Sequence, residues 1–91
     1  MAQLLCQISE GLRPAEANVR IEEYNGIPHY LPAHRDFLTR EGGNYYLPVT
    51  LLWIDEAKKV ALVGLSIETD SGANRLWVKL DQLMHTNGVV R

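Results

Sequence analysis

Two histidines and a carboxylate fall close together in Pro28-His29-Tyr30-Leu31-Pro32-Ala33-His34-Arg35-Asp36. Imidazole is a common transition-metal ligand and general base. In an extended segment, residues an odd number apart point to opposite faces, so His29 and His34 meet only if Pro32 bends the chain. No third ligand is specified, and neither a metal nor a cofactor is expected. An enzyme using His29, His34 and Asp36 is the weakest of the functional readings, because nothing fixes a nucleophile or a substrate. His34-Arg35-Asp36 repeats the letters of a kinase catalytic loop without that fold's glycine-rich loop or its lysine. Its simpler uses are a surface ion-pair cluster or, centred on Arg35, a site for an anion or carboxylate.

Other reactive residues carry less. Cys6 stands between Leu4-Leu5 and Gln7-Ile8, with neither a cation nor a helix N-terminus to activate it, and is expected to be a buried apolar thiol. Thr69-Asp70-Ser71-Gly72-Ala73-Asn74 lacks the acidic spacing of a calcium loop and the lysine of a phosphate loop; it reads as a turn in which Asp70 and Asn74 bond their own backbone. Exposed aromatics with interleaved cations could stack nucleic-acid bases. The nine basic residues, however, are scattered from Arg13 to Arg91 with no cluster beyond Lys58-Lys59. Trp77 alternates against Leu76 and Val78 and is the best candidate for an exposed aromatic anchor. Trp53 is assigned to the core. The expected binding residues are therefore His34, Arg35, Asp36 and Trp77, with His34–Asp36 on a loop at a sheet margin.

The elements that must position these residues read as strands. Val19–Tyr24 and Ile27–Leu31 flank Asn25-Gly26, a strong hairpin signal; a two-residue turn would place Tyr24 opposite Ile27, Glu22 opposite His29 and Ile21 opposite Tyr30. Pro28 marks that strand as an edge, or as one whose missing N–H faces outward. Pro32–Arg40 is read as a short strand or irregular turn delivering Phe37 and Leu38 to the core, and Glu41-Gly42-Gly43-Asn44 as a turn. Tyr45–Ile54 is aromatic and β-branched, as in a doubly buried strand, with Pro48 marking a bulge or edge. Val60–Ile67 is its partner across the polar loop Asp55–Lys59, and Leu76–Leu80 is the last strand. Met1–Leu12 is ambiguous: Leu4, Ile8 and Leu12 have helical spacing, whereas Leu4, Cys6 and Ile8 alternate. Pro14-Ala15-Glu16-Ala17 suits one helical turn.

Arg75-Leu76-Trp77-Val78-Lys79-Leu80-Asp81-Gln82-Leu83 resembles the end of SH3-type barrels, where a Trp-containing strand runs into a short helical turn. The resemblance implies architecture and carries no functional residue with it.

The expected fold is thus all-β: a small SH3-like barrel of five to six short strands, with a short N-terminal segment packed against it and a C-terminal helical turn over Asp81–Met84. The single domain divides into segment and connection (1–18), barrel (19–84) and frayed tail (85–91). Its expected core is Ile21, Leu47, Val49, Leu51, Trp53, Leu62, Leu65, Leu76, Val78 and Leu80.

Composition narrows the function. The chain has 91 residues, 46% of them hydrophobic, and a formal charge of −2. That charge disfavours a dedicated nucleic-acid binder, and no apolar run approaches the ~18 residues of a spanning helix. One cysteine cannot form an internal disulfide. A cytoplasmic, non-catalytic module is expected. It would bind a protein partner or itself, since both faces of the Tyr45–Ile67 hairpin are apolar in a chain too short to cover them. A nucleic-acid-binding barrel is the alternative.

Overall fold

Strand alternation decides the architecture from the first residues. In a computed structural model, which describes residues 2–85, the chain forms β1 (Ala2–Glu10), β2 (Glu16–Glu22), β3 (Pro28–His34), a 3-10 turn (Arg35–Phe37), β4 (Thr39–Glu41), β5 (Asn44–Asp55), β6 (Val60–Gly64), β7 (Arg75–Lys79), a second 3-10 turn (Leu80–Gln82) and β8 (Leu83–His85). The strands make one antiparallel sheet of order β3-β2-β1-β5-β6-β7, with β4 on β5 and β8 on β1. It curls into a half-barrel, and the fold is all-β. No helix among the described residues is long and apolar enough to cross a membrane.

The N-terminal segment is not appended to this barrel; it is the central strand. Ala2–Cys6 pairs with β5 on one edge, Ala2–Leu4 with β8 on the other, and Gln7–Glu10 with β2. Of the two periodicities, the alternating one governs: Ala2, Leu4 and Cys6 are buried, whereas Leu12, the last member of the helical series, is fully exposed. Pro14–Ala17 likewise does not become helical. Glu16 already belongs to β2, and Ala17 is in the core. Leu83-Met84 is strand rather than helical turn. Residues 86–91 of the expected tail lie outside the described residues.

The hairpin register is shifted by one from the two-residue turn. Glu23 N–H donates to Ile27 O at 2.9 Å and Gly26 N–H to Glu23 O at 2.9 Å, so the loop is Tyr24-Asn25-Gly26, with Gly26 at φ 87°. Ile21 therefore faces His29, and Arg20 faces Tyr30. A one-residue slip exchanges the faces of a strand: His29, Leu31 and Ala33 turn inward beside Val19 and Ile21, while Tyr30 turns out. By contrast, Gly42-Gly43, at φ 61° and 85°, forms a true two-residue turn joining Glu41 to Asn44.

The core comprises Leu4, Val19, Ile21, Leu31, Leu47, Val49, Val63, Leu76 and Val78, with Leu51 and Leu65 partly buried against it. On β6 the inward residues are Ala61 and Val63, not Leu62. Phe37, expected in the core, is 66% exposed at the end of its 3-10 turn; Leu38 alone packs inward.

Candidate functional site

The predicted site residues separate. Asp36 N–H donates to His34 Nδ1 at 3.2 Å, and the His34 ring lies 6.0 Å from that of Phe37. Arg35 turns to the connection before β2: its Nε donates to Pro14 O at 3.1 Å and its backbone N–H to Ala15 O at 2.8 Å. Arg35 thus tethers a loop. Trp77 lies on β7, half-buried, and shares no hydrogen bond or ion pair with His34–Asp36.

His29 has left that group altogether. It is buried, with Nε2 at 2.7 Å from Glu23 Oε1 and Nδ1 at 2.8 Å from Ser71 Oγ; Ser71 Oγ lies 2.9 Å from Thr69 Oγ1, which accepts from Ala73 N–H. An ionised Glu23 can only accept, so Nε2 carries a proton. In the neutral ring Nδ1 then accepts from Ser71. Ser71-His29-Glu23 has the residue types of a nucleophilic triad, and its hydrogen bonds join the loop after β6 to the β2–β3 hairpin. Asp70 joins the same seam: its Oδ1 accepts from Tyr30 N–H, and its N–H donates to Tyr30 O at 2.7 Å. Asp70 therefore binds a neighbouring strand rather than its own loop. Glu23 and Ser71 carried no distinguishing signal in the sequence. Among the described residues, no three His, Cys, Asp or Glu side chains converge on a metal position.

Cys6 is buried, and desolvation pushes its thiol from 9.0 up to about 11. A thiol held protonated is a poor nucleophile.

Two apolar surfaces remain. The first is the outer face of β5-β6-β7. A register shift between Leu51 and Trp53 makes Leu52 a bulge, so Trp53 leaves the core and is 63% exposed. Trp53 then faces Leu62, and Leu62 faces Trp77. Directly opposite residues project from one face, giving a row Trp53–Leu62–Trp77. It is flanked by the row Asp55–Val60–Lys79 on one side and Thr50–Gly64–Arg75 on the other.

The second is a groove of about 580 Å³. β4 and β6 run along the same edge of β5, opposite β1, and leave Leu47–Val49 between them without a partner on that side among the described residues. Pro48 occupies the gap with the β4-facing parity of Asn44 and Tyr46, so no N–H is stranded there. Phe37, Leu52 and Ile67 form exposed lips above Leu31, Leu47 and Val49. Leu52 lies over Gly64, where an added Cβ would come within 3.3 Å of its Cδ1.

No protein-family model matches the chain, and neither the curated proteins nor the solved structures provide a match.

Proposed function

We propose that this chain is a non-catalytic protein-interaction module that associates with a second copy of itself through the outer face of β5-β6-β7. One observation carries the reading: the row Trp53–Leu62–Trp77 is apolar, and the row beside it bears a carboxylate at one end, Asp55, and an ammonium at the other, Lys79. Among the described residues, neither has an oppositely charged side chain within 4.0 Å. A two-fold axis along β6 sets Trp53 over the partner's Trp77 and Asp55 over the partner's Lys79, and the reverse. That makes the face self-complementary. Aligned packing of twisted sheets accommodates this arrangement.

Sedimentation tests it. The wild-type chain should dimerise at micromolar concentrations; Asp55→Lys and Lys79→Asp should each be monomeric; an equimolar mixture of the two should recover dimers. A folded mixture that stays monomeric overturns the reading. An SH3-type classification is part of the proposal, supported by the path β8-β1-β5-β6-β7 with a 3-10 turn before β8. So is a cytoplasmic location, supported by the lone thiol.

A nucleic-acid reading has one observation in its favour. Lys58, Lys59, Arg75 and Lys79 belong to the same strands and their hairpin, without ion-pair partners among the described residues. Retention on single-stranded oligonucleotide with a steep salt dependence would favour it over self-association.

A further inference from the structure

The groove beside β5 supports a separate inference: we propose that it is a binding site for an aliphatic monocarboxylate, the chain lying in the cleft and the carboxylate on Arg75. The site begins where the Trp53–Leu62–Trp77 face ends, and the proposal does not depend on self-association.

The lining specifies both halves of the ligand. Its volume of about 580 Å³ falls within the range of small-molecule sites, roughly 300–1,000 Å³. The floor is contributed by core residues, and the lips Phe37, Leu52 and Ile67 are 66%, 43% and 46% exposed. Large apolar side chains converging on one concavity favour an aliphatic chain. Among the described residues, Arg75 is the only ionisable one of the lining, and no carboxylate shares the groove or lies within 4.0 Å of its guanidinium. A planar guanidinium free to bond in two places pairs bidentately with a carboxylate. Asn74 and Ser66, also in the lining, offer further hydrogen bonds to a polar head.

The backbone argues against an extended peptide as occupant. A peptide added along the open edge of β5 needs N–H and C=O groups in alternation, and Pro48 removes the donor at the centre of the gap. A chain ligand makes no such demand.

Three probes test the assignment: sodium decanoate, a trimethylammonium amphiphile with the same tail, and sodium butyrate. Each is titrated below its micelle concentration into isotope-labelled protein, with amide shifts as the readout. Decanoate should saturate one site, moving the amides of Leu31, Gly64 and Ile67 and leaving Trp53 and Leu62 in place. The cationic amphiphile and butyrate should each bind at least about tenfold more weakly, having lost the charge-assisted pair or the chain. Arg75→Gln, verified as folded by its unchanged spectrum elsewhere, should weaken decanoate by about tenfold, with Arg75→Lys intermediate. Ile67→Asp, at an exposed position, should abolish binding without unfolding the chain. The proposal fails if decanoate and the cationic amphiphile bind alike, if Arg75→Gln binds as wild type, or if decanoate's shifts fall on the Trp53–Leu62–Trp77 face instead.

Discussion

Two interruptions in the sheet are handled in opposite ways. Between the β2–β3 hairpin and the β6–β7 end of the sheet, the half-barrel is bridged by polar atoms. Tyr24 N–H donates to Trp77 O at 2.8 Å, Gln82 Nε2 to Glu22 O at 3.0 Å, Asp70 bridges to Tyr30, and His29 holds Ser71 and Glu23. Between β4 and β6 no described residue closes the gap; Pro48 silences the edge and apolar side chains reach into water. Ser71, His29 and Glu23, the residue types of a nucleophilic triad, are part of the closed seam. Phe37, Leu52 and Ile67 stand exposed at the open one. The edge of β3 completes the contrast: Pro28 and Pro32 share the outward backbone parity of Tyr30, whose own N–H is taken by Asp70, so strand addition is blocked there.

The contrast can be broken at the closed seam first. His29→Ala leaves Glu23 and Ser71 without their buried partner and should cost about 3 kcal/mol in urea unfolding; a loss below ~1 kcal/mol would mean that the seam does not depend on this staple. Next comes a pH effect from the core between the two interruptions. Burial raises the Cys6 pKa in the folded chain to about 11 from 9.0. Below pH 9 both states hold the thiol protonated and nothing changes. As pH rises from 9 to 11 the unfolded chain ionises first, so the native state should lose on the order of 2–3 kcal/mol. The slope of wild type minus Cys6→Ala isolates this loss from other titrations; equal slopes would remove the effect. Asp70→Ala, which deletes a single side-chain acceptor for Tyr30 N–H, should cost about 1 kcal/mol by the same measurement. The open gap should give the smallest change: Phe37→Ala, at an exposed lip, is expected within about 0.5 kcal/mol of wild type. A larger penalty would show that the lips are already packed.

The all-β character was legible because alternation and turn residues agree along the chain. Pro28 announced an edge, and Gly42-Gly43 a tight turn. What could not be read were one-residue decisions. Asn25-Gly26 locates a turn but does not say whether two or three residues form it, and that difference moved His29 and Leu31 inside and Tyr30 out. Leu51-Leu52-Trp53 is apolar throughout, so nothing in it announces a bulge; the bulge sent Trp53 outward. The outward parity of Trp77 was legible, but its half-burial depends on neighbours from other strands. His34–Asp36 did reach a sheet margin. Arg35 was spent on Pro14 and Ala15 because the chain before β2 returns there, a tertiary contact with no local signature.

The placement of β1 governs how the molecule assembles. Ala2–Cys6 is paired with Tyr45–Val49 and, at Ala2–Leu4, with Leu83–His85. The β2–β3, β4–β5 and β5–β6 hairpins close short loops and form on local information alone. The Gln7–Glu10 half of β1 likewise pairs locally with β2, whereas the Ala2–Cys6 half must pay the entropy of closing much longer loops to reach β5 and β8. The long-range pairing of Ala2–Cys6 is therefore expected to follow the hairpins, and substitutions that slow it should lengthen the exposure of Leu4 and Leu5 and raise aggregation during refolding.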